Sequence, residues 1–361
     1  MKVVSPLLKR VVYPALSSTG YLRHRARHGQ LCIVTYHGVR PDGYVSRVPH
    51  LDGSLVSPQN FRSQLRLLKR DCQIIPPELF LSWLRGQTTL PPRSVLLTCD
   101  DGLESVLTDM VPILQEESAR CLFLVTGASA KEEPSMLWYD ELYLLLRAVP
   151  PGPISIAEKD LSAACTKKTD RRAFWWSLVQ LLSERDEQAR ADILGRLQAR
   201  FGSSGTWKSG ILADAASRRR FFLLTRSGLR SLVESGMSIG AHTLHHPVLS
   251  RMPATGAEEE ITGSRVLLQD VLGQEIWAFA YPFGDLASVT AREIKLAQSA
   301  QFACAFLNVG GGFGAELPPF ALPRVHVTAS MGLSEFEAHV SGFYRQLRDG
   351  PRPAAAVGGR T

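Results

Sequence analysis

Two short segments of the sequence carry side chains that can bind a metal ion and activate water. The first is Thr98-Cys99-Asp100-Asp101-Gly102, directly after an apolar run typical of a buried strand. Adjacent carboxylates in such a place repel each other and lose solvation, so they need a cation or hydrogen bonds as compensation. Because side chains alternate along a strand, Asp101 can bind a metal while Asp100 acts as a base. Taken alone, the segment fits an N-cap of the following helix equally well.

The second segment, His242-Thr243-Leu244-His245-His246-Pro247, places three of the nine histidines within five positions. His242 and His246 are four residues apart, so we expect one helical turn to bring both imidazoles to the same side. Two histidines and one carboxylate leave open coordination positions, as a catalytic metal site requires. Thr243 is expected to orient one of these ligands. A chance cluster of histidines is the alternative, but it does not explain why both segments follow a strand.

Apolar runs that alternate with helical patterns are expected to position these segments. Seven of the runs are predicted strands: Leu31–Tyr36, Ser94–Cys99, Cys121–Val125, Met237–Ala241, Trp277–Tyr281, Phe302–Leu307 and Pro323–Val327. Strands and helices in alternation indicate a parallel sheet. We therefore predict an α/β fold, a distorted (β/α)7 TIM-like barrel with a helical insertion. A doubly wound open sheet is the alternative.

The carboxyl ends of the strands form the rim where barrel enzymes hold their active sites. Both segments described above lie at this rim. The predicted rim also receives Tyr36-His37 from the first strand, Ala280–Asp285 from the fifth, and Arg324–His326 from the last. We predict that Tyr36, Tyr281 and Pro282 contact the substrate.

The domain organisation follows from one long interval and the two chain ends. The interval between Val125 and Met237 is far longer than one crossover needs. We predict a basic amino-terminal arm at 1–30, a barrel at 31–330 with a mostly helical insertion at about 130–225, a carboxy-terminal helix at 331–348 and a disordered tail at 349–361. Aromatic residues of the insertion, such as Phe174-Trp175-Trp176, are expected in its core rather than stacked on sugar rings.

Charge is modest overall but uneven. The 361 residues carry a formal charge of +7, and residues 1–28 hold six Lys or Arg and no acid. This arm is predicted either to make peripheral contact with an anionic membrane surface or an acidic glycan, or to be a solvated basic segment. We expect no nucleic-acid partner.

Cysteine usage and hydropathy bear on the compartment. The six cysteines are scattered without a CxxC pair, so we expect reduced core residues rather than a disulfide framework. No secretory signal and no run of eighteen apolar residues are recognisable. The expectation is a cytoplasmic protein without a transmembrane helix, peripheral at the inner face of the membrane if the arm binds lipid.

The segments TCDDG, HTLHHP and AYPFG, in this order, resemble the motifs of the polysaccharide deacetylase family, also known as the NodB homology domain or carbohydrate esterase family 4. The resemblance covers roughly residues 31–327. It implies that Asp101, His242 and His246 hold zinc or another divalent metal ion and that Asp100 is the catalytic base. His245 falls in the variable pair of the motif and is not an expected ligand.

The sequence departs from the family pattern at three places. Cys99 replaces a phenylalanine, which should change packing more than chemistry. The arginine that usually opens the third motif is missing, and we expect Arg324 to supply a guanidinium in its place. The late motif of the family often holds a histidine that acts as general acid, and it is incomplete around His326. We therefore rank His37 above His326 as the expected general acid. Attack of water on an amide carbonyl would produce an oxyanion. We expect this oxyanion to accept a hydrogen bond from a backbone N–H, with that of Tyr281 as the candidate.

The predicted function is a metal-dependent hydrolysis that removes an N-acetyl or other N-acyl group from an amino sugar of a polysaccharide or glycan precursor. The carbohydrate is then the partner that the site binds. Three alternatives remain: a deacylase of a different amide, a catalytically silent glycan-binding module, and a non-haem iron oxygenase, which shares the two-histidine, one-carboxylate ligand set.

Overall fold

The computed structural model describes residues 6–26, 31–46, 48–148, 152–156, 161–165, 168–183, 185, 187–201, 206–310 and 318–349. Its strands are β1 (Leu31–Tyr36), β2 (Gln73–Ile74), β3 (Ser94–Asp101), β4 (Leu122–Val125), β5 (Gly152–Ile156), β6 (Leu161–Cys165), β7 (Ser238–Ala241), β8 (Ala278–Ala280), β9 (Cys304–Phe306) and β10 (Val325–His326). A parallel strand forms in each of the seven predicted segments, and β3 extends two residues beyond its prediction, to Asp101.

The seven strands in the predicted segments form one parallel sheet in the order β10-β1-β3-β4-β7-β8-β9, and β2 also pairs with β3. Apart from β10, the order follows the chain in one direction, so the sheet winds round as a barrel does and lacks the reversal of a doubly wound sheet. The edge strands β9 and β10 are not paired with each other in the described residues. The segment just before β10 nevertheless bridges to β9, with the N–H of Leu322 donating to the carbonyl of Ala305 and the N–H of Leu307 donating to the carbonyl of Leu322. The predicted distorted barrel is therefore confirmed.

The helices are α1 (Tyr13–Ser18), α2 (Tyr21–Ala26), α3 (Pro58–Asp71), α4 (Pro77–Leu84), α5 (Val111–Glu116), α6 (Trp138–Ala148), α7 (Lys168–Leu182), α8 (Glu187–Phe201), α9 (Thr206–Ala213), α10 (Ala215–Phe221), α11 (Arg226–Glu234), α12 (Ala254–Leu272), α13 (Ala291–Ser299), α14 (Leu333–Val340) and α15 (Phe343–Asp349). Among the described helices, none has both the length and the apolar content needed to cross a bilayer.

Strand residues alternate between two apolar layers, as the period of a strand requires. Val34 and Tyr36 pack outward in the larger cluster, which includes Phe61 of α3. Leu31 and Ile33 pack in a smaller inner cluster together with Phe80 of α4. The residues that continue the inner row beyond the strand ends therefore face the rim of the barrel.

The interval at about 130–225 contains helices α6 to α10 and one antiparallel hairpin, β5-β6, in its described part. The hairpin was not expected from the sequence. The insertion has its own apolar cluster, which includes Leu142, Phe174, Leu178 and Phe222. The bridge from Leu223 to Leu103 ties it to the barrel, and the bridge from Phe222 to Met136 lies within the insertion.

The described part of the basic arm packs against a helix near the carboxy terminus. Tyr13 and Leu22 of the basic arm pack against Ala338 of α14. The predicted carboxy-terminal helix is two helices, α14 and α15, and the predicted tail beyond Asp349 lies outside the described residues. Five cysteines with described side chains are free thiols; they are Cys32, Cys72, Cys99, Cys121 and Cys304.

Candidate active site

Asp101, His242 and His246, which are distant in sequence, meet at the carboxyl ends of β3 and β7. One carboxylate oxygen of Asp101, Oδ1, lies 3.6 Å from Nε2 of His242 and 3.4 Å from Nε2 of His246. All three ligand atoms lie within 4.8 Å of one another, and all three residues are buried. Ligands bonded to one tetrahedral zinc at about 2.0–2.1 Å stand roughly 3.3 Å apart. The spacing therefore fits three ligands around a shared ion.

Two further observations support a fit to a metal ion. Among the described residues, Oδ1 of Asp101 has no hydrogen-bond partner although it is buried, a costly state unless a cation compensates. Nδ1 of His242 lies 2.8 Å from the carbonyl oxygen of Ala280. That contact places the proton on Nδ1 and leaves the lone pair of Nε2 directed at the site.

The charges at this site are coupled. Burial raises the pKa of Asp101, but the imidazoles of His242 and His246 outweigh it and hold that pKa well below its ordinary value. Burial lowers the pKa of His242, but Asp101 and Asp100 outweigh burial and raise it. Burial lowers the pKa of His246. The buried carboxylates of Asp100 and Asp101 thus favour positive charge between them and the imidazoles, which is the electrostatic condition for binding a cation.

The loop that carries both histidines is not helical, so the expected helical turn is wrong. Thr243 and His246 have φ values of 64° and 56°, and these left-handed residues fold the loop back on itself. The hydroxyl of Thr243 accepts from the backbone N–H of His246 at 3.0 Å, which agrees with its expected orienting role. Asp101 and Phe283 also have positive φ. Such strain persists only where the surroundings hold it in place.

Residues outside the motifs brace this loop. One carboxylate oxygen of Glu260 on α12 accepts from the backbone N–H groups of Leu244 and His245, each at 2.9 Å. The other carboxylate oxygen lies 2.9 Å from Nδ1 of His245. The indole N–H of Trp138 donates to the carbonyl of His246 at 3.1 Å. No sequence pattern identifies Glu260 as a brace, since acidic residues are ordinary on a helix.

Asp100 forms a buried, bidentate ion pair with Arg324, the residue directly before β10. Nη1 and Nη2 of Arg324 donate to the two carboxylate oxygens at 2.7 and 2.6 Å, and Nε donates to the carbonyl of Leu307. Burial raises the pKa of Asp100, but the Arg324 guanidinium outweighs it and holds that pKa below the ordinary 3.8. Neither aspartate caps a helix, so the N-cap alternative does not apply.

A cavity of about 320 Å³ opens onto these groups. Its lining includes Asp100, Asp101, His242, His246 and His37. It is also lined by residues of the insertion, namely Tyr139, Asp140, Trp175, Trp176, Val179 and Arg220. The insertion therefore forms one wall of the candidate active site, which sequence spacing could not reveal.

Two of the predicted substrate residues do not line this cavity. Tyr36 lies in the outer layer, where its hydroxyl donates to Oε1 of Gln64 at 3.1 Å and its ring packs on Phe61. The prediction for Tyr36 was wrong because strand alternation turns it away while His37 faces the rim. Pro282 is also absent from the described lining, whereas Tyr281 is present.

Tyr281 is not free to serve as the expected oxyanion donor. Its N–H donates to the carbonyl of Phe306 at 3.1 Å, and its hydroxyl donates to the carbonyl of Phe320. The N–H of Phe283, two residues later, has no acceptor among the described residues, and Phe283 lines the cavity. Gly284 follows it with a φ of 62°, and a Cβ there would lie 2.5 Å from the backbone nitrogen of Asn308. The motif glycine is thus required by close backbone approach.

His37 and His326 lie beside each other, with ring centroids 4.8 Å apart. His37 lines the cavity, and its Nδ1 is buried without a hydrogen-bond partner among the described residues. His326 is not in the described lining. Burial, with the charge of His37 as a second cause, lowers the pKa of His326 to about 3. Of the two histidines, His37 is the one placed to exchange a proton with a ligand.

A second buried ion cluster joins the insertion to the barrel. Arg220 donates to Asp52 at 2.5 Å, to Asp140 at 3.1 Å and to the carbonyl of Leu51 at 3.0 Å. Burial raises the pKa of Asp140 to about 6, with Arg220 acting in the opposite direction. One guanidinium thus serves two carboxylates, and it fixes α6 and α10 against the loop after β1.

The sequence of this chain is similar to sequences of polysaccharide deacetylases. Residues 164–304 match the family model for polysaccharide deacetylases. That match includes His242, His246 and the Tyr281–Gly284 segment but begins after Asp100 and Asp101. A segment of 117 residues is 25% identical to YxkH of Bacillus subtilis (strain 168), whose name describes it as a polysaccharide deacetylase; it covers 32% of this chain and 41% of that protein. The chain thus spans less than half of this relative.

Solved structures share the fold. The deacetylase PplD of Streptococcus pyogenes, in complex with acetate, superposes with a TM-score of 0.54 at 17% identity, over 86% of this chain and 98% of that one. IcaB of Ammonifex degensii gives a TM-score of 0.52 at 18% identity, over 87% and 98%. At such identities the likeness concerns the fold alone. Together with the family match over residues 164–304, it confirms the resemblance predicted from the motifs: this chain is similar to polysaccharide deacetylases.

Proposed function

We propose that this protein is a metal-dependent hydrolase that removes the N-acetyl group from an amino sugar of a glycan. The observation that carries the proposal is the convergence of Asp101, His242 and His246, with Oδ1 of the aspartate 3.4–3.6 Å from the two Nε2 atoms. The Asp100–Arg324 ion pair lies beside them. The family match agrees with it but does not include either aspartate. The acid-base chemistry is therefore inferred from the fold and not from the alignment.

Asp101 and the Nε2 atoms of His242 and His246 would hold a divalent cation, and we favour zinc because the donors are nitrogen and oxygen with open positions. When bound, such a cation lowers the pKa of water and polarises a carbonyl oxygen. Asp100 is ionised at neutral pH because Arg324 lowers its pKa. It therefore accepts the proton of the attacking water as general base.

Phe283 and His37 complete the proposed mechanism. The N–H of Phe283, free of other acceptors in the described chain, donates to the oxyanion that forms on the amide carbonyl. His37 gives a proton to the leaving amine, so that water adds across the C–N bond and acetate and a free amino sugar result. Arg324 keeps Asp100 in place and does not itself touch the substrate.

The role of His37 can be separated from that of its neighbour. We expect His37→Gln to lower kcat by about 10²-fold, within the usual range for a general acid, while His326→Gln changes it by less than about tenfold. The matched pair is informative because the two rings are adjacent. Turnover at saturating substrate measures both. Equal losses, or a greater loss in His326→Gln, would reverse the assignment.

The activity itself is tested by acetate release from an N-acetylglucosamine oligomer. Metal-loaded protein should release acetate, chelation should abolish the release, and added Zn²⁺ should restore it. A protein that binds the oligomer but releases no acetate with any divalent ion would instead be a silent glycan-binding module. Release from simple amides at equal rates would favour a deacylase of another class. An iron oxygenase has no use for the ionised Asp100 beside the ligands.

We also propose that the amino-terminal arm contacts an anionic membrane surface. Leu7 and Val11 are exposed beside Arg10, while Tyr13 anchors the arm against α14. Exposed apolar side chains next to basic ones suit a lipid interface. Co-sedimentation with anionic vesicles should be lost in Leu7→Ser/Val11→Ser, and equal binding by this variant would refute the contact. The cytoplasmic location stays a prediction.

A further inference from the structure

Trp176 differs from the neighbouring tryptophans of the insertion in its exposure. Trp175 on the same helix is 8% exposed, and its indole N–H donates to the carbonyl of Tyr139 at 2.8 Å. Trp138 is also 8% exposed and holds the carbonyl of His246. Trp176 leaves 50% of its surface exposed and lines the same cavity as Asp101. A half-exposed aromatic side chain on the wall of a concave site is placed to contact a ligand.

We propose that Trp176 is a platform on which a neutral pyranose ring of the substrate stacks. This inference rests on the proposed function and adds to it a specificity-determining residue from the insertion. One face of a pyranose ring presents C–H groups, and an indole ring offers the large flat apolar surface that can cover them. In this proposal the insertion contacts the sugar ring and determines specificity, while residues of the barrel catalyse the hydrolysis. Trp176 was expected in the core together with Phe174 and Trp175, but its exposure separates it from them.

The remaining cavity wall supplies hydrogen-bonding groups suited to sugar hydroxyls. Nε2 of His50 and Oδ1 of Asn308 belong to lining residues, are buried, and have no hydrogen-bond partner in the described part of the chain. Burial, followed by the charge of Arg172, lowers the pKa of His50, which keeps its ring neutral. An apolar surface with a few convergent polar groups is the usual composition of a small-molecule site.

The charges of the wall favour a neutral sugar over an acidic one. The carboxylates of Asp100, Asp101, Asp140 and Asp285 line the cavity. Among the described lining residues, Arg220 is the sole lysine or arginine, and its nitrogens already donate to Asp52, Asp140 and Leu51. No guanidinium is left to pair with a carboxylate or phosphate on the ligand. An acidic substituent would therefore be desolvated without compensation.

Calorimetric titration of metal-loaded protein with an N-acetylglucosamine tetramer tests the inference, in an Asp100→Asn background that prevents turnover. Adding Trp176→Ala should weaken binding by about tenfold, and Trp176→Phe by less than about threefold, since a smaller ring still stacks. Tyr21→Ala is the matched control, because Tyr21 is an aromatic residue of similar exposure, 45%, far from the cavity wall. It should bind as tightly as the parent.

Three results would overturn the inference: an unchanged dissociation constant in Trp176→Ala, an equal loss in Tyr21→Ala, or no binding of the tetramer by the parent. A tetramer carrying carboxylates that binds as tightly as the neutral one would refute the preference for a neutral ring. Because binding is measured without turnover, failure of the proposed hydrolysis is distinguishable. In that case the wild-type chain releases no acetate, while Trp176→Ala still weakens binding.

Discussion

Asp101→Asn should lose the bound metal ion and at least about 10³-fold in kcat/KM for acetate release. The asparagine keeps the shape of the side chain but removes the negative charge that faces both imidazoles at 3.4 and 3.6 Å. A metal that polarises a carbonyl and activates water contributes several kcal/mol to the transition state, which corresponds to a loss of this size. Metal content after dialysis and initial rates measure the two effects.

His245→Gln is the matched control for metal binding. His245 lies between the two ligand histidines in sequence, but its ring nitrogen Nδ1 is held by Glu260 at 2.9 Å and not by Asp101. We expect this variant to retain the stoichiometric metal ion. If Asp101→Asn kept its metal while His245→Gln lost it, the ligand set would be wrong.

Arg324→Met should destabilise the fold and abolish most activity. The change leaves the Asp100 carboxylate buried and unpaired, where Arg324 now donates two hydrogen bonds at 2.7 and 2.6 Å. Breaking a buried ion pair on one side costs about 3–5 kcal/mol of unfolding free energy. Without its partner, the general base is protonated or misplaced, with a loss of about 10²–10⁴ in turnover. Urea denaturation and initial rates test the two claims.

The double variant Arg324→Met/Asp100→Asn separates stability from catalysis. Removing both charges should recover much of the unfolding free energy, because no unpaired charge stays buried, but it should recover no activity. The free energy of unfolding should also change with pH in opposite directions in the wild type and in Arg324→Met. The lowered pKa of Asp100 stabilises the wild type above its ordinary value of 3.8, and this stability is lost as pH falls through the folded pKa.

In Arg324→Met, burial is the largest remaining influence on Asp100 and raises its pKa, while the charges of His242 and His37 act in the opposite direction. The proton is then bound more tightly in the folded state than in the unfolded state, so stability falls as pH rises towards neutrality. Wild type and variant should therefore diverge most at neutral pH and converge in acid. A constant difference across pH 3–8 would show that the guanidinium does not control the ionisation of Asp100.

The strands and the positions of Asp100 and Asp101 were predictable because their signals are local. Near-continuous apolar runs identify parallel strands covered on both faces, and the side chains that follow them must share one rim. From that rule alone, Asp101 and His246 were expected to meet. Arg324 was expected to replace the missing motif arginine, and in the structure its guanidinium lies against Asp100.

The misassigned residues depend on details that short-range patterns do not contain. Tyr36 and His37 are neighbours, yet alternation sends one to the outer layer and one to the rim, and which is which depends on strand register. The histidine loop closes through left-handed residues at Thr243 and His246, not through a helical turn. The wall that holds Trp176 packs against the barrel by contacts far apart in sequence, such as Arg220 to Asp52.

The central claim is that one ion is shared by three side chains, and anomalous diffraction at the zinc edge from zinc-loaded crystals tests it most directly. The account predicts a peak within about 2.0–2.2 Å of Asp101 Oδ1, His242 Nε2 and His246 Nε2, with Asp100 beside it on Arg324. A peak elsewhere, or no peak in a protein that still releases acetate, would contradict it.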